Sequence, residues 1–168
     1  MGILTLITFI PTIGAIAILF VPKRNDVVIK TIAAIGCCIS LLLSIYVLCM
    51  FDTTLPGITR ASEMQFVEHF SWIPAFNIFY FIGVDGLSMP MVFLTTLLSF
   101  IGVVVSWNID KSVKGYFALY LLLVTGMLGV FVSLDFFLFY MFWEVMLLPM
   151  YFLIGIWGGP RREYAAIK

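Results

Sequence analysis

Five long apolar runs constrain this chain more than any other feature, because each is long enough to cross a lipid bilayer as a helix. A helix needs about 20 mainly apolar residues to span the hydrocarbon. An open strand there would leave backbone donors and acceptors unpaired, so helix is the expected structure. The sequence therefore predicts an all-α integral membrane protein whose five transmembrane helices occupy residues 3–21, 31–51, 84–107, 116–133 and 136–157.

Composition agrees with a membrane protein and argues against several other classes. Of the 168 residues, 63% are hydrophobic and 11% are charged, whereas soluble domains are about half apolar. Nine basic and nine acidic residues cancel, which argues against a nucleic-acid-binding surface. The single histidine, His69, and the three cysteines lack the spacing of a metal site. No basic stretch precedes the first run, so we expect this span to be retained rather than cleaved.

Basic residues predict how the spans are oriented. Of the nine lysines and arginines, eight follow the first, third or fifth run, and only Arg60 lies in the loop between the second and third runs. Short cytoplasmic loops are enriched in lysine and arginine, so we expect the N-terminus outside and residue 168 in the cytoplasm. The eight residues are Lys23, Arg24, Lys30, Lys111, Lys114, Arg161, Arg162 and Lys168.

Two further elements are expected outside the five runs. In the outer loop, residues 52–83, two partly alternating stretches flank a turn at residues 74–77, which is typical of a short β-hairpin. After Gly158 and Gly159, residues 161–168 become helical again without a closing pattern. We interpret them as the truncated start of the next helix.

Glu144 is an ionisable residue deep inside the fifth run. A charge at the bilayer centre costs roughly 2.5–3.5 kcal/mol on insertion scales, so it persists where it is compensated and usually has a function. A carboxylate whose cationic partner can move away can take up and release a proton. We therefore predict that Glu144 is buried and transfers protons. The alternative is a packing role through a hydrogen bond to another helix.

Three residues of the same helix could support Glu144. At 100° per residue, Tyr140 and Tyr151 lie about 40° and 20° away from it on one face. Pro149 cannot donate to the carbonyl of Val145, so it frees an acceptor close to the carboxylate. No lysine or arginine lies deep within the five runs. We expect the cationic partner to come from another segment or subunit.

Asp85 and Asp135 stand at the outer ends of the third and fifth runs. A carboxylate at a helix N-terminus accepts hydrogen bonds from exposed backbone N–H groups and faces the positive end of the helix dipole. We interpret both residues as structural caps, with a part in ion transport as the alternative.

Two segments resemble one known family: Gly83–Ser88 and, far more specifically, Phe142–Gly155. With most of the chain, they are similar to the subunit-4-type, antiporter-like chain M family of respiratory complex I. The resemblance implies the first part of a fourteen-helix fold, with two inverted five-helix repeats that begin at the fourth helix. It also implies that Glu144 pairs with a lysine on a seventh helix, beyond residue 168.

The function implied by this resemblance is that of a membrane-arm subunit of a proton-translocating NADH:quinone oxidoreductase, with Glu144 in proton transfer. No cofactor is implied in this chain, since NADH, flavin, iron–sulfur clusters and quinone act in other subunits. The implied partners are other membrane-arm subunits, lipid, protons and water, with no nucleic acid, in the bacterial inner membrane. A subunit of a multisubunit cation/proton antiporter and a non-catalytic membrane scaffold remain alternatives.

Overall fold

Five long helices dominate the computed structural model, which describes residues 2–52 and 64–167. Each is long and apolar enough to cross a membrane, so the predicted fold class is confirmed. The helices are α1 (Ile3–Phe20), α2 (Asp26–Met50), α3 (Ser88–Val105), α4 (Val113–Val132) and α5 (Phe136–Trp157), and a short α6 (Arg162–Ile167) follows them.

Several helix bounds differ from the expected ones. α2 begins at Asp26 rather than at residue 31, because the Asp26 carboxylate is suited to the positive end of the helix in its first turn. α3 begins at Ser88 rather than at residue 84, because the preceding residues form a strand. A 3-10 turn, Ser106–Asn108, extends the third span. Residues 53–63 of the predicted outer loop, with Arg60, and Lys168 lie outside the described residues.

The expected β-hairpin is present. β1 (Gln65–Ile73) pairs antiparallel with β2 (Ile78–Val84), and Asn77 takes a left-handed backbone conformation between them, with φ of 54°. Asparagine tolerates this conformation better than most residues. The hairpin contacts the α4–α5 turn, where the backbone N–H of Leu134 donates to the carbonyl of Phe81 at 2.9 Å.

α4 is the centre of the bundle, since it contacts α1, α2, α3 and α5. Consecutive spans run antiparallel, so the N-termini of α1, α3 and α5 lie on the same side as the hairpin, which we call the hairpin end. The opposite side carries Lys30, Lys111 and Lys114, and we call it the lysine end. Buried apolar side chains form one cluster in each half of the bundle.

Two glycines allow α5 to pack directly on α4. A Cβ added at Gly126 would lie 2.9 Å from the backbone nitrogen of Met146, and a Cβ added at Gly129 would collide with the ring of Phe142. Small residues permit this close approach between membrane helices. One face of α5 is therefore fixed against α4.

Pro11 interrupts the hydrogen bonding of α1, and α2 compensates for it. Proline has no N–H to donate to the carbonyl four residues earlier, that of Ile7. The buried hydroxyl of Ser40 in α2 donates to this carbonyl at 3.2 Å. The backbone acceptor left by the proline is thus satisfied between helices.

We expect Gly126→Ala to weaken the packing of α5 on α4, because the added methyl group would meet the backbone of Met146 rather than a flexible side chain. Overpacking of this kind typically costs about 1–3 kcal/mol. Denaturant titration of the detergent-solubilised protein, followed by circular dichroism, measures the loss. Gly36→Ala in α2 is the matched control, because a Cβ there would meet nothing within 4 Å. Equal losses in the two variants would contradict this account.

Candidate functional site

Glu144 lies on the face of α5 that the other described helices leave open. α5 buries Leu138, Phe142 and Pro149, and these side chains lie roughly opposite Glu144 around the helix. Within the described part of the chain the Glu144 side chain is exposed. The expectation of a buried Glu144 is therefore not met by this chain alone, because α4 packs on the other side of α5.

Two tyrosines extend the polar surface around Glu144 along α5. The hydroxyl of Tyr140, one turn earlier, interacts with the Glu144 carboxylate. Tyr151, two turns later, lines the same open groove of 690 Å³ as Glu144, together with Leu147 and Leu148. The groove is apolar apart from these polar groups. A carboxylate in such a place within a membrane requires a protein partner or water opposite it.

Pro149 is buried, and α5 continues past it to Trp157. Its missing N–H leaves the carbonyl of Val145 without its usual intrahelical donor. Val145 lines the same groove as Glu144, so an acceptor becomes available in the turn that carries the carboxylate.

The described residues supply no cation to Glu144. The one salt bridge among them joins Lys30 to Asp110 at 3.9 Å, and both lie at the lysine end of the bundle. A cation that pairs with Glu144 would therefore have to approach the open face of α5 from outside the described residues.

Asp135 and Asp85 both accept hydrogen bonds from the first turn of a helix. The Asp135 carboxylate accepts from the backbone N–H groups of Phe137 at 2.9 Å and Leu138 at 3.0 Å. One Asp85 oxygen accepts from the backbone N–H groups of Leu87 at 3.1 Å and Ser88 at 2.6 Å. Both therefore have the geometry of N-terminal caps, on α5 and α3 respectively.

The carboxylate that caps α1 comes from the hairpin, and no local sequence pattern singles it out. Glu68 of β1 is buried and accepts from the backbone N–H groups of Gly2 at 3.0 Å and Thr5 at 3.1 Å and from the Thr5 hydroxyl at 2.7 Å. The Thr5 hydroxyl also bonds the phenol of Tyr80 at 2.9 Å. Burial, opposed by the Thr5 hydrogen bond and reinforced by the Glu68 charge, raises the pKa of Tyr80. A cap supplied from more than 60 residues away leaves no local sequence pattern.

Three lysines act in the complementary way at the lysine end. Each donates to backbone carbonyls at or just beyond the C-terminal end of another span, where helix carbonyls lack intrahelical partners. Sequence reasoning used these lysines only to predict orientation. The acceptors are the carbonyls of Leu19 and Val21 for Lys114 at 2.8 and 2.9 Å, of Trp107 for Lys30 at 2.7 Å, and of Ile156 for Lys111 at 3.2 Å.

Known proteins with similar sequences match nearly the whole chain. It is 41% identical to NADH-quinone oxidoreductase subunit M of Rhodobacter capsulatus over 99% of its length, and it covers 32% of that relative. It is 34% identical to NAD(P)H-quinone oxidoreductase chain 4 1 of Nostoc sp. over 98% of its length, and it covers 30% of that relative. The chain is therefore similar over nearly its whole length to subunit M or chain 4 of quinone oxidoreductases. It spans about a third of the length of the relatives it matches.

Two further comparisons found similar proteins. Residues 133–168, which contain Glu144, match a family model described as NADH:quinone oxidoreductase/Mrp antiporter, TM. The fold is similar to a chain of respiratory complex I from Thermus thermophilus, with a TM-score of 0.75 at 24% identity, over 97% of this chain and 31% of that one. This likeness shows that the two chains share a fold.

The Asp85 cap predicts a pH dependence of stability. Burial raises the pKa of Asp85, but the hydrogen bonds donated by the backbone of Ser88 and Leu87 and the contact with the Ser88 hydroxyl outweigh it, so the pKa lies below its usual value. The cap is therefore fully present above the ordinary pKa of an aspartate and is lost as the pH falls through the lowered one.

We expect Asp85→Asn to lower the melting temperature at neutral and mildly acidic pH, by an amount that shrinks once Asp85 itself becomes protonated. Thermal unfolding of both proteins across acidic pH measures the difference. A difference that stays constant down to the lowest pH at which the protein is folded would refute a charged cap.

Proposed function

We propose that this chain is part of the membrane arm of a proton-translocating NADH:quinone oxidoreductase and that Glu144 is a proton-transfer residue in it. The carrying observation is a carboxylate on the open face of α5, in a chain whose relatives are named as subunit M or chain 4 of quinone oxidoreductases. Electron transfer from NADH to quinone, with its flavin and iron–sulfur cofactors, belongs to other subunits in this proposal.

The position of Glu144 supports a role that depends on a movable partner. An unpaired carboxylate in hydrocarbon favours the protonated form, and a cation nearby favours the ionised form. Because one face of α5 is fixed by α4 and the other is open, a cation carried by another segment or subunit can approach or leave Glu144 without repacking this bundle. Movement of that partner would load and release the proton. The hydroxyls of Tyr140 and Tyr151 would then hydrogen-bond water or the Glu144 carboxylate along the same face of α5.

Orientation and location are part of the same proposal. The lysine end carries Lys30, Lys111 and Lys114, and short loops on the cytoplasmic side are enriched in such residues. We infer that the lysine end faces the cytoplasm and the hairpin end faces outward, in a bacterial cell membrane, with other membrane-arm subunits and lipid as partners.

A cation/proton antiporter subunit is the second candidate, because the family model that matches residues 133–168 names both kinds of protein. Matches to quinone oxidoreductase subunits over nearly the whole of this chain favour the first candidate. Copurification separates the two: hydrophilic redox subunits accompany the chain in an oxidoreductase, and a sodium-driven proton flux without NADH indicates an antiporter. A non-catalytic scaffold would give neither an effect of Glu144 on turnover nor a change in its protonation.

We expect Glu144→Gln in the complete complex to slow NADH-driven quinone reduction and the proton pumping coupled to it, because the amide cannot carry a proton. A proton-transfer group contributes roughly 10²–10⁴-fold to its own step, so a loss of about tenfold or more in pumping is expected. Quinone reduction and proton uptake in membrane vesicles measure the two rates.

Glu163→Gln is the matched control, since it makes the same chemical change on α6, in an exposed position outside the five spans. Its rates should equal those of the unmodified complex. If Glu144→Gln assembles normally and pumps at the unmodified rate, Glu144 carries no proton and the scaffold role is favoured.

A further inference from the structure

One buried hydroxyl group in the bundle lacks a hydrogen-bond partner. Among the described residues, Ser99 of α3 is the one whose buried side-chain oxygen has none, and its side chain is only 3% exposed. A buried polar group without a partner destabilises the fold. Such groups in native proteins usually bind an internal water molecule.

Polar side chains from three helices lie around Ser99. On the hairpin side, one turn along α3, the hydroxyl of Thr96 bonds the hydroxyl of Ser44 of α2 at 2.7 Å, and both residues are buried. On the α4 side, the phenol of Tyr120 donates to the backbone carbonyl of Ser99 at 2.9 Å. Tyr120 also packs against the buried cluster that contains Cys37 of α2.

The Tyr120 hydroxyl occupies a place that only a glycine allows. A Cβ at Gly102, three residues after Ser99, would collide with the phenolic oxygen. The oxygen therefore lies against the backbone of α3 within one turn of the Ser99 side chain. Its hydrogen is used in the bond to the carbonyl, but the oxygen can still accept a hydrogen bond.

We propose that a single water molecule occupies the space between α2, α3 and α4 and bridges the Ser99 hydroxyl to the phenol of Tyr120. The water accepts from Ser99 Oγ and donates to Tyr120 Oη. Two or more polar partners are what an internal water requires. The ligand is water rather than a metal cation, because no three His, Cys, Asp or Glu side chains among the described residues form a group that could hold a metal ion.

This site is separate from the face of α5 that carries Glu144, because it lies where α2, α3 and α4 meet. Its role would be to add a second link between α3 and α4, beside the direct bond from the Tyr120 phenol to the Ser99 carbonyl. The competing arrangement is a rotated Ser99 side chain that bonds the carbonyl of Thr95, one turn back in α3, without any water.

Electron cryomicroscopy of the complete complex, at a resolution that shows ordered waters, tests the proposal. We expect a density peak within hydrogen-bonding distance of both Ser99 Oγ and Tyr120 Oη in the unmodified complex. The peak should disappear in Ser99→Ala and weaken or move in Tyr120→Phe. A map in which the peak is missing, with Ser99 Oγ turned toward the Thr95 carbonyl, overturns the proposal.

Thr95→Ala is the matched control, because it removes a half-buried hydroxyl of the same helix that bonds the carbonyl of Met91 at 2.7 Å. This variant should leave the peak unchanged, and loss of the peak in it as in Ser99→Ala would overturn the assignment to Ser99. Should Ser99→Ala fail to assemble, the maps of the unmodified complex and of Tyr120→Phe still decide.

A double-mutant cycle of Ser99 and Tyr120 tests the water bridge independently. The Tyr120 phenol bonds the backbone carbonyl of Ser99, and Ser99→Ala leaves that carbonyl in place. A direct contact therefore predicts additive losses of thermal stability for Ser99→Ala and Tyr120→Phe. A bridging water predicts that the double variant loses less than the sum of the two, and additive losses would count against the bridge.

Discussion

Backbone groups at the ends of a helix lack intrahelical partners, and in three of the five spans charged side chains supply partners for several of them. Glu68, Asp85 and Asp135 accept from the first turns of α1, α3 and α5 at the hairpin end. Lysines donate to carbonyls at or just beyond the opposite ends of the same three spans. Each pairing places charge where the helix dipole favours it.

These caps also join segments that are distant in the chain. Glu68 connects the hairpin to α1, and Lys114 connects the start of α4 to the end of α1. The lysines that led us to propose a cytoplasmic side also bind carbonyls at the negative ends of neighbouring helices. The same charges therefore contribute to helix packing.

The candidate site follows from the asymmetry of α5. Gly126 and Gly129 hold one of its faces against α4, and the opposite face keeps Glu144, Tyr140 and Tyr151 available to another protein surface. Polar contacts inside the bundle stabilise the packed helices and do not involve Glu144. One example is the bond from Ser40 to the carbonyl freed by Pro11. In the proposed function, the fixed face sets the position of α5 and the open face admits a partner.

Sequence alone determined the five spans and the hairpin, because hydrophobic length and alternation are local properties. The predicted starts of α2 and α3 differ from the observed ones, Asp26 and Ser88, because polar residues or a strand adjoin these spans. Only the tertiary structure decided that Glu68 caps α1, that the lysines bind carbonyls, and that Glu144 faces away from the other described helices. The physical reason is that capping and burial depend on which surfaces meet in space, and residues 66 positions apart in the chain carry no mutual pattern.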